Sequence, residues 1–81
     1  MNGTTVKAIR LYNSQSQRSF AKELGFSSSG IAAVESGRYV PSERLRAAIA
    51  RKYPINEDFI IFLRDYEKIN GFTHNYTITQ N

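Results

Sequence analysis

Apolar residues recur at helical spacing along residues 1–70, and each run is bounded by residues that start or stop helices. Val6, Ile9 and Tyr12 share one side of a helix predicted over 6–12, with Thr4 or Thr5 as its N-cap and Asn13-Ser14-Gln15 as its end. Ser16 caps a second helix over 17–24, in which Phe20, Ala21 and Leu24 share a face. Gly25 follows at the position where a helix commonly leaves through a left-handed residue. Phe26 returns to the core, and Ser27 caps a third helix over 28–36, with Ile31 and Val34 inward and Gly37 at its end. Pro41 makes 38–41 a loop, and Ser42 caps a fourth helix over 43–52, with Leu45, Ala48 and Ile49 inward and Arg44, Arg51 and Lys52 outward. Tyr53-Pro54 breaks the chain, and Asn56 caps a fifth helix over 57–69, ended by Asn70-Gly71. In 72–81, Tyr76 and Ile78 alternate with Thr77 and Thr79, which reads either as a short strand needing a partner edge or as a frayed tail. The expected fold is all-α with five helices: one domain over 1–71 and a C-terminal tail over 72–81.

Composition narrows the function classes. A chain of 81 residues holds one small domain, and 41% hydrophobic with 22% charged residues is an ordinary soluble mixture. With no cysteine there is no disulfide framework, no thiolate zinc site and no cysteine nucleophile. The longest apolar run, 59–63, is far short of the ~20 residues that span a bilayer. The first five residues have neither the basic start nor the apolar stretch of a secretory signal, so a soluble, cytoplasmic protein is expected. Catalysis has little support, because His74 is the only histidine, no Gly-rich phosphate loop occurs, and Glu57-Asp58 suit the first turn of a helix without any catalytic role. No cofactor or metal is expected.

The net charge is +4 and is unevenly spread: residues 1–52 carry nine Lys/Arg against three acids, and 53–81 carry two against four. That is the pattern of a polyanion-binding front with a non-binding back, and equally of a solvated surface with uneven charge. The spacing of the second and third helices is more informative. Two helices crossing steeply over a short turn need a small residue where their backbones touch, Gly at a left-handed turn, and apolar residues that lock the angle. Counting Gln17 as first, Ala21 is fifth, Gly25 ninth, Ile31 fifteenth and Val34 eighteenth, so all the requirements fall in register.

Residues 16–42, SQRSFAKELGFSSSGIAAVESGRYVPS, resemble the helix-turn-helix of the Cro and phage-repressor family (lambda-repressor-like, XRE-type), with the helix-turn-helix itself over about 17–36. Ser16-Gln17, Phe20-Ala21, Leu24-Gly25-Phe26, Ile31, Glu35-x-Gly37-Arg38 and Pro41-Ser42 carry the resemblance, and the flanking helices extend it to about residues 5–65. The resemblance implies double-stranded DNA as the partner, with Gln17, Ser36 and Arg38 on phosphates and Tyr39 and Arg44 adding to that clamp. It places Ser28, Ser29, Ala32 and Ala33 on the face that meets base edges in the major groove. It also implies an ion pair between Arg10 and Glu35, partly buried under the recognition helix.

One departure stands out. Strong base readers are long and bidentate, Gln or Asn to adenine and Arg to guanine, whereas this face offers only Ser, Gly and Ala. Meanwhile Phe59, Ile60, Ile61, Phe62, Leu63, Tyr66 and Ile69 exceed what one helical stripe can hide, and Phe59, Phe62, Leu63 and Tyr66 are assigned to a dimer or partner interface. Two readings follow. One is a Cro-like repressor of phage or bacterial type that occupies an operator as a homodimer; the alternative is a modulator or antirepressor that keeps the fold and binds a phage or host repressor protein.

Overall fold

The computed structural model describes the backbone of residues 1–80 and the side chains of residues 1–70. Its five helices are α1 (Gly3–Tyr12), α2 (Gln17–Leu24), α3 (Ser28–Glu35), α4 (Glu43–Lys52) and α5 (Glu57–Gln80). α2 packs on α3 and α4, and α1 packs on α3 and α5. The core between them is built from Val6, Ala8 and Ile9 of α1, Phe20, Ala21 and Leu24 of α2, Ile31 and Val34 of α3, Leu45, Ala48 and Ile49 of α4, with Tyr53 and Phe59.

Four side-chain caps start helices where amides lack intrahelical partners. Ser16, Ser27 and Ser42 Oγ accept from the amides of Ser19, Gly30 and Leu45 at 3.0, 3.0 and 3.1 Å. Asn56 Oδ1 accepts from the Phe59 amide at 2.8 Å. α1 departs from the sequence pattern. Its N-cap is Asn2, not Thr4 or Thr5, and Asn2 Oδ1 accepts from both the amide and the hydroxyl of Thr5, at 2.9 and 3.0 Å. Asn is as strong a cap as Thr, and starting earlier sets a further turn of α1 against α3.

α1, α2 and α3 leave by the same double hydrogen bond, through one left-handed residue each. At α2, Gly25 (φ 77°) donates to Lys22 and Phe26 to Ala21; at α3, Gly37 (φ 85°) donates to Val34 and Arg38 to Ala33. At α1 the left-handed residue is Ser14 (φ 55°), whose amide meets Leu11 while that of Gln15 meets Arg10. Two of these positions carry the residue that tolerates the conformation and the third does not.

α5 also differs from the sequence pattern. It runs through Asn70-Gly71 to Gln80, so the expected stop after Ile69 does not end it, and the strand reading of 76–79 is not adopted. A strand needs an edge to pair with, and the other four elements are helices that offer none. The side chains of 71–81, and Asn81 altogether, lie outside the described residues. The inward face of α5 is set by an aromatic row: Tyr12 meets Phe59 edge-on at 5.4 Å and Phe62 at 5.2 Å, and Phe62 stacks on Tyr66 at 5.9 Å.

The end of α4 is tied to α2 by Tyr53, whose ring stacks on Phe20 at 5.3 Å and whose hydroxyl donates to Glu23. Burial first, and then this hydrogen bond and the carboxylate's charge, push the Tyr53 phenol up to about 12.

Replacing Ser14 with Gly, Ser14→Gly, removes the penalty of a side chain in the left-handed region and raises unfolding stability by roughly 0.5–1 kcal/mol in urea titrations. An unfolded tyrosine ionises near pH ~10. Because the folded pKa is the higher one, the stabilising preference for the neutral phenol is complete below that pH and is lost as pH rises through about 12. Melting temperatures across this interval should fall more steeply for the wild type than for Tyr53→Phe.

Candidate nucleic-acid interface

The site is assembled around α2, the turn at 25–27, and α3. Ala21 is buried at 1% exposure in the core that α2 and α3 share, where a larger side chain would hold their backbones apart. Gly25 makes the left-handed exit, Leu24, Ile31 and Val34 are buried, and half-buried Phe26 packs on the core. These contacts fix the angle at which α3 stands on α2.

Beneath α3 lies a charged network. Arg10 donates from Nε to Glu35 Oε2 at 2.7 Å and from Nη2 to Glu35 Oε1 at 2.9 Å, in a bidentate pair whose side chains are 10% and 3% exposed. Nη1 of the same guanidinium donates to the Gln15 carbonyl at 3.0 Å. Gln17 Nε2 donates to Glu35 Oε1 at 3.1 Å, a contact not expected from the sequence. The Glu35 hydrogen bond and charge hold the Arg10 pKa above its ordinary value, with burial opposing them only in part. The Glu35 carboxylate thus joins the last residue of α3 to α1 and to the first residue of α2, and Arg10 extends the network to the loop before α2.

Gln17 is therefore only partly engaged within the protein. One of its side-chain N–H groups is engaged by Glu35, and the other, with its backbone amide at the open N-terminus of α2, is left for an outside acceptor. The N-termini of α2 and α3 are alike. Each is capped by a neutral serine and has no acid in its first turn, an absence that α1 shares under its Asn2 cap, whereas α4 begins with Glu43 and α5 with Glu57 and Asp58. The helix dipole at α2 and α3 is left free to attract an anion.

On α3, Ser28 and Ser29 are exposed and Ala32 and Ala33 half-buried. Past its end, Ser36, Arg38 and Tyr39 are exposed, Tyr39 at 63%. The amides of residues 36–39 are all spent within the chain, on the carbonyls of Ala32, Val34 and Ala33. Ser36 Oγ donates to Ala33 at 3.0 Å, so it must release that carbonyl before it can donate to a phosphate. This loop consequently offers an anion side chains, chiefly the Arg38 guanidinium, and no backbone donors. Arg44, in the first turn of α4, lies over the Phe26 ring at 4.8 Å, which holds its charge against the turn between α2 and α3.

Of the four α5 residues assigned to an interface, one belongs to the core and three lie at its edge. Phe59 is 2% exposed and belongs to the core, while Phe62, Leu63 and Tyr66 are half-buried against it. Phe59 is thereby removed from the interface, because the Tyr12 ring draws it and Phe62 to the inward side. Among the described residues, the large apolar side chains that α5 turns outward are Ile60, Ile61 and Ile69. Among the described residues no helix is long and apolar enough to cross a membrane, and no group of His, Cys, Asp and Glu is arranged to hold a metal ion.

Two short helices crossing on a small residue, joined by a left-handed glycine turn and flanked by supporting helices, define the helix-turn-helix class of DNA-binding module. The sequence model of the family described as "Helix-turn-helix domain" matches residues 3–58, and the chain belongs to that family. No curated protein and no solved structure matches the chain.

Glu35→Ala strands the Arg10 guanidinium and frees Gln17, and should lower stability by ~3–5 kcal/mol in chemical denaturation. An unchanged melt would mean that the network does not hold α1 to α3.

Proposed function

We propose that this protein is a transcriptional regulator of the Cro and phage-repressor type, cytoplasmic, occupying operator DNA as a homodimer. The observation that carries this reading is that both helices of the crossing, α2 and α3, begin without an acid. α1 shares that feature, while α4 and α5 begin with acids that neutralise their positive ends. Gln17 and Arg38 would fix register on phosphates, with Arg44, Tyr39 and Ser36 as lesser contacts. Ser28, Ser29, Ala32 and Ala33 would meet the bases. The homodimer would draw on the outer side of α5, where Ile60, Ile61 and Ile69 are exposed beside half-buried Phe62, Leu63 and Tyr66.

The small side chains on α3 favour one second reading, a modulator whose α3 docks a repressor protein. Selection from a random duplex library at ~0.15 M salt separates the two. A recovered palindrome supports the operator-binding dimer, and recovery of no motif turns the search to a protein partner. On selected DNA, Arg38→Ala should weaken binding to all sequences alike and lower the salt slope by about one. Equal slopes for variant and wild type would remove Arg38 from the clamp.

A further inference from the structure

Gly3 is the first residue of α1, where helix propensity alone favours Ala over Gly. The reason for glycine there is contact. A Cβ on Gly3 would lie 2.1 Å from the Val34 carbonyl oxygen, 3.2 Å from the Val34 carbonyl carbon and 3.3 Å from the Glu35 carbonyl oxygen. All three atoms are backbone of the last turn of α3, so no side-chain rotation makes room. A normal approach would require the start of α1 and the end of α3 to separate by about 1 Å, since nonbonded contacts between carbon and oxygen close no nearer than ~3.3 Å.

The carbonyls that Gly3 meets belong to the turn that shapes the Arg38 loop. Val34 accepts from the Gly37 amide at 3.0 Å, and the neighbouring Ala33 carbonyl accepts from the Arg38 amide at 2.9 Å. At the far end of α1, the bidentate Arg10–Glu35 pair anchors α3 to the same helix. A wedge at residue 3, with Arg10 still holding the Glu35 side chain, would push the last turn of α3 away from the start of α1 and carry the 36–38 loop with it, away from its setting relative to Gln17 on α2.

We infer that Gly3 is a positioning residue for DNA binding: by letting α1 touch the backbone of α3, it sets the separation between the Gln17 and Arg38 ends of the phosphate clamp. This rests on α3 being the recognition helix. It touches no DNA itself, and its effect runs through the Gly37 and Arg38 backbone.

The test compares Gly3→Ala with Thr4→Ala, a substitution at the exposed neighbour, by backbone NMR and by binding to a random-sequence duplex well below the melting temperature. Gly3→Ala is expected to shift the Gly37 and Arg38 amide resonances and to weaken binding roughly tenfold or more, with Thr4→Ala at wild-type values. Unchanged resonances with unchanged affinity overturn the inference, and so does a lowered melting temperature alone. If Gly3→Ala does not fold, the wild-type chain decides: nuclear Overhauser contacts between the Gly3 α-protons and Val34 or Glu35 support the close approach, and their absence overturns it. A wild-type chain that binds no duplex refutes the DNA-binding role, while the resonances still report whether Gly3 sets the loop.

Discussion

The Glu35 carboxylate is the constraint on which the arrangement of helices depends. With its side chain 3% exposed, it would be prohibitively costly without partners, and Arg10 and Gln17 supply them from two other elements. Desolvation of two charges cancels much of their attraction, so the contribution of the pair lies less in net stability than in geometry. Apolar surfaces tolerate sliding. A bidentate guanidinium–carboxylate contact does not, and here it fixes α3 against α1 while drawing the first side chain of α2 into the same network.

That anchoring matters because α3 has little stability of its own. It is eight residues long, far below the length at which an isolated helix persists, and it contains Gly30 in its interior. Its place is set from outside: by Ile31 and Val34 in the core, by the Phe26 turn under Arg44, by the Glu35 network and by the backbone contact at Gly3. A helix held at both ends by other elements can spend its outer face on small residues without losing its position.

The parts legible in the sequence are those decided locally. Ser16, Ser27 and Ser42 cap the helices they precede, and Gly25 and Gly37 mark left-handed exits, because each depends on a few neighbouring residues. The Arg10–Glu35 pairing is long-range and became legible only through the family resemblance. What stayed hidden depends on distant partners. Asn2, Thr4 and Thr5 are comparable caps, and contact with α3 settles which one starts α1. The run 59–63 is apolar on every side, so its inward face is unreadable until Tyr12 arrives from α1. Arg44 over Phe26, and Tyr53 on Glu23, join residues that no periodicity connects.

The same distinction bears on how this protein would discriminate among DNA sequences. On the proposed reading its provision for phosphate is ample: the acid-free N-termini of α2 and α3, Gln17 with a free side-chain N–H, Arg38, and Arg44 held over an aromatic ring. On the same reading its provision for base edges is four short side chains. Phosphate contacts fix register and carry no direct sequence information, whereas serine hydroxyls and alanine methyls discriminate weakly, by single hydrogen bonds and thymine methyl contacts. Small side chains on a recognition helix would let its backbone approach the groove floor more closely. Binding on such a face depends heavily on salt and on how easily the duplex takes the shape that places its phosphates at both ends of the clamp. The spacing of that clamp, set by the packing of α1 on α3, then becomes a determinant of sequence preference alongside the residues that face the bases.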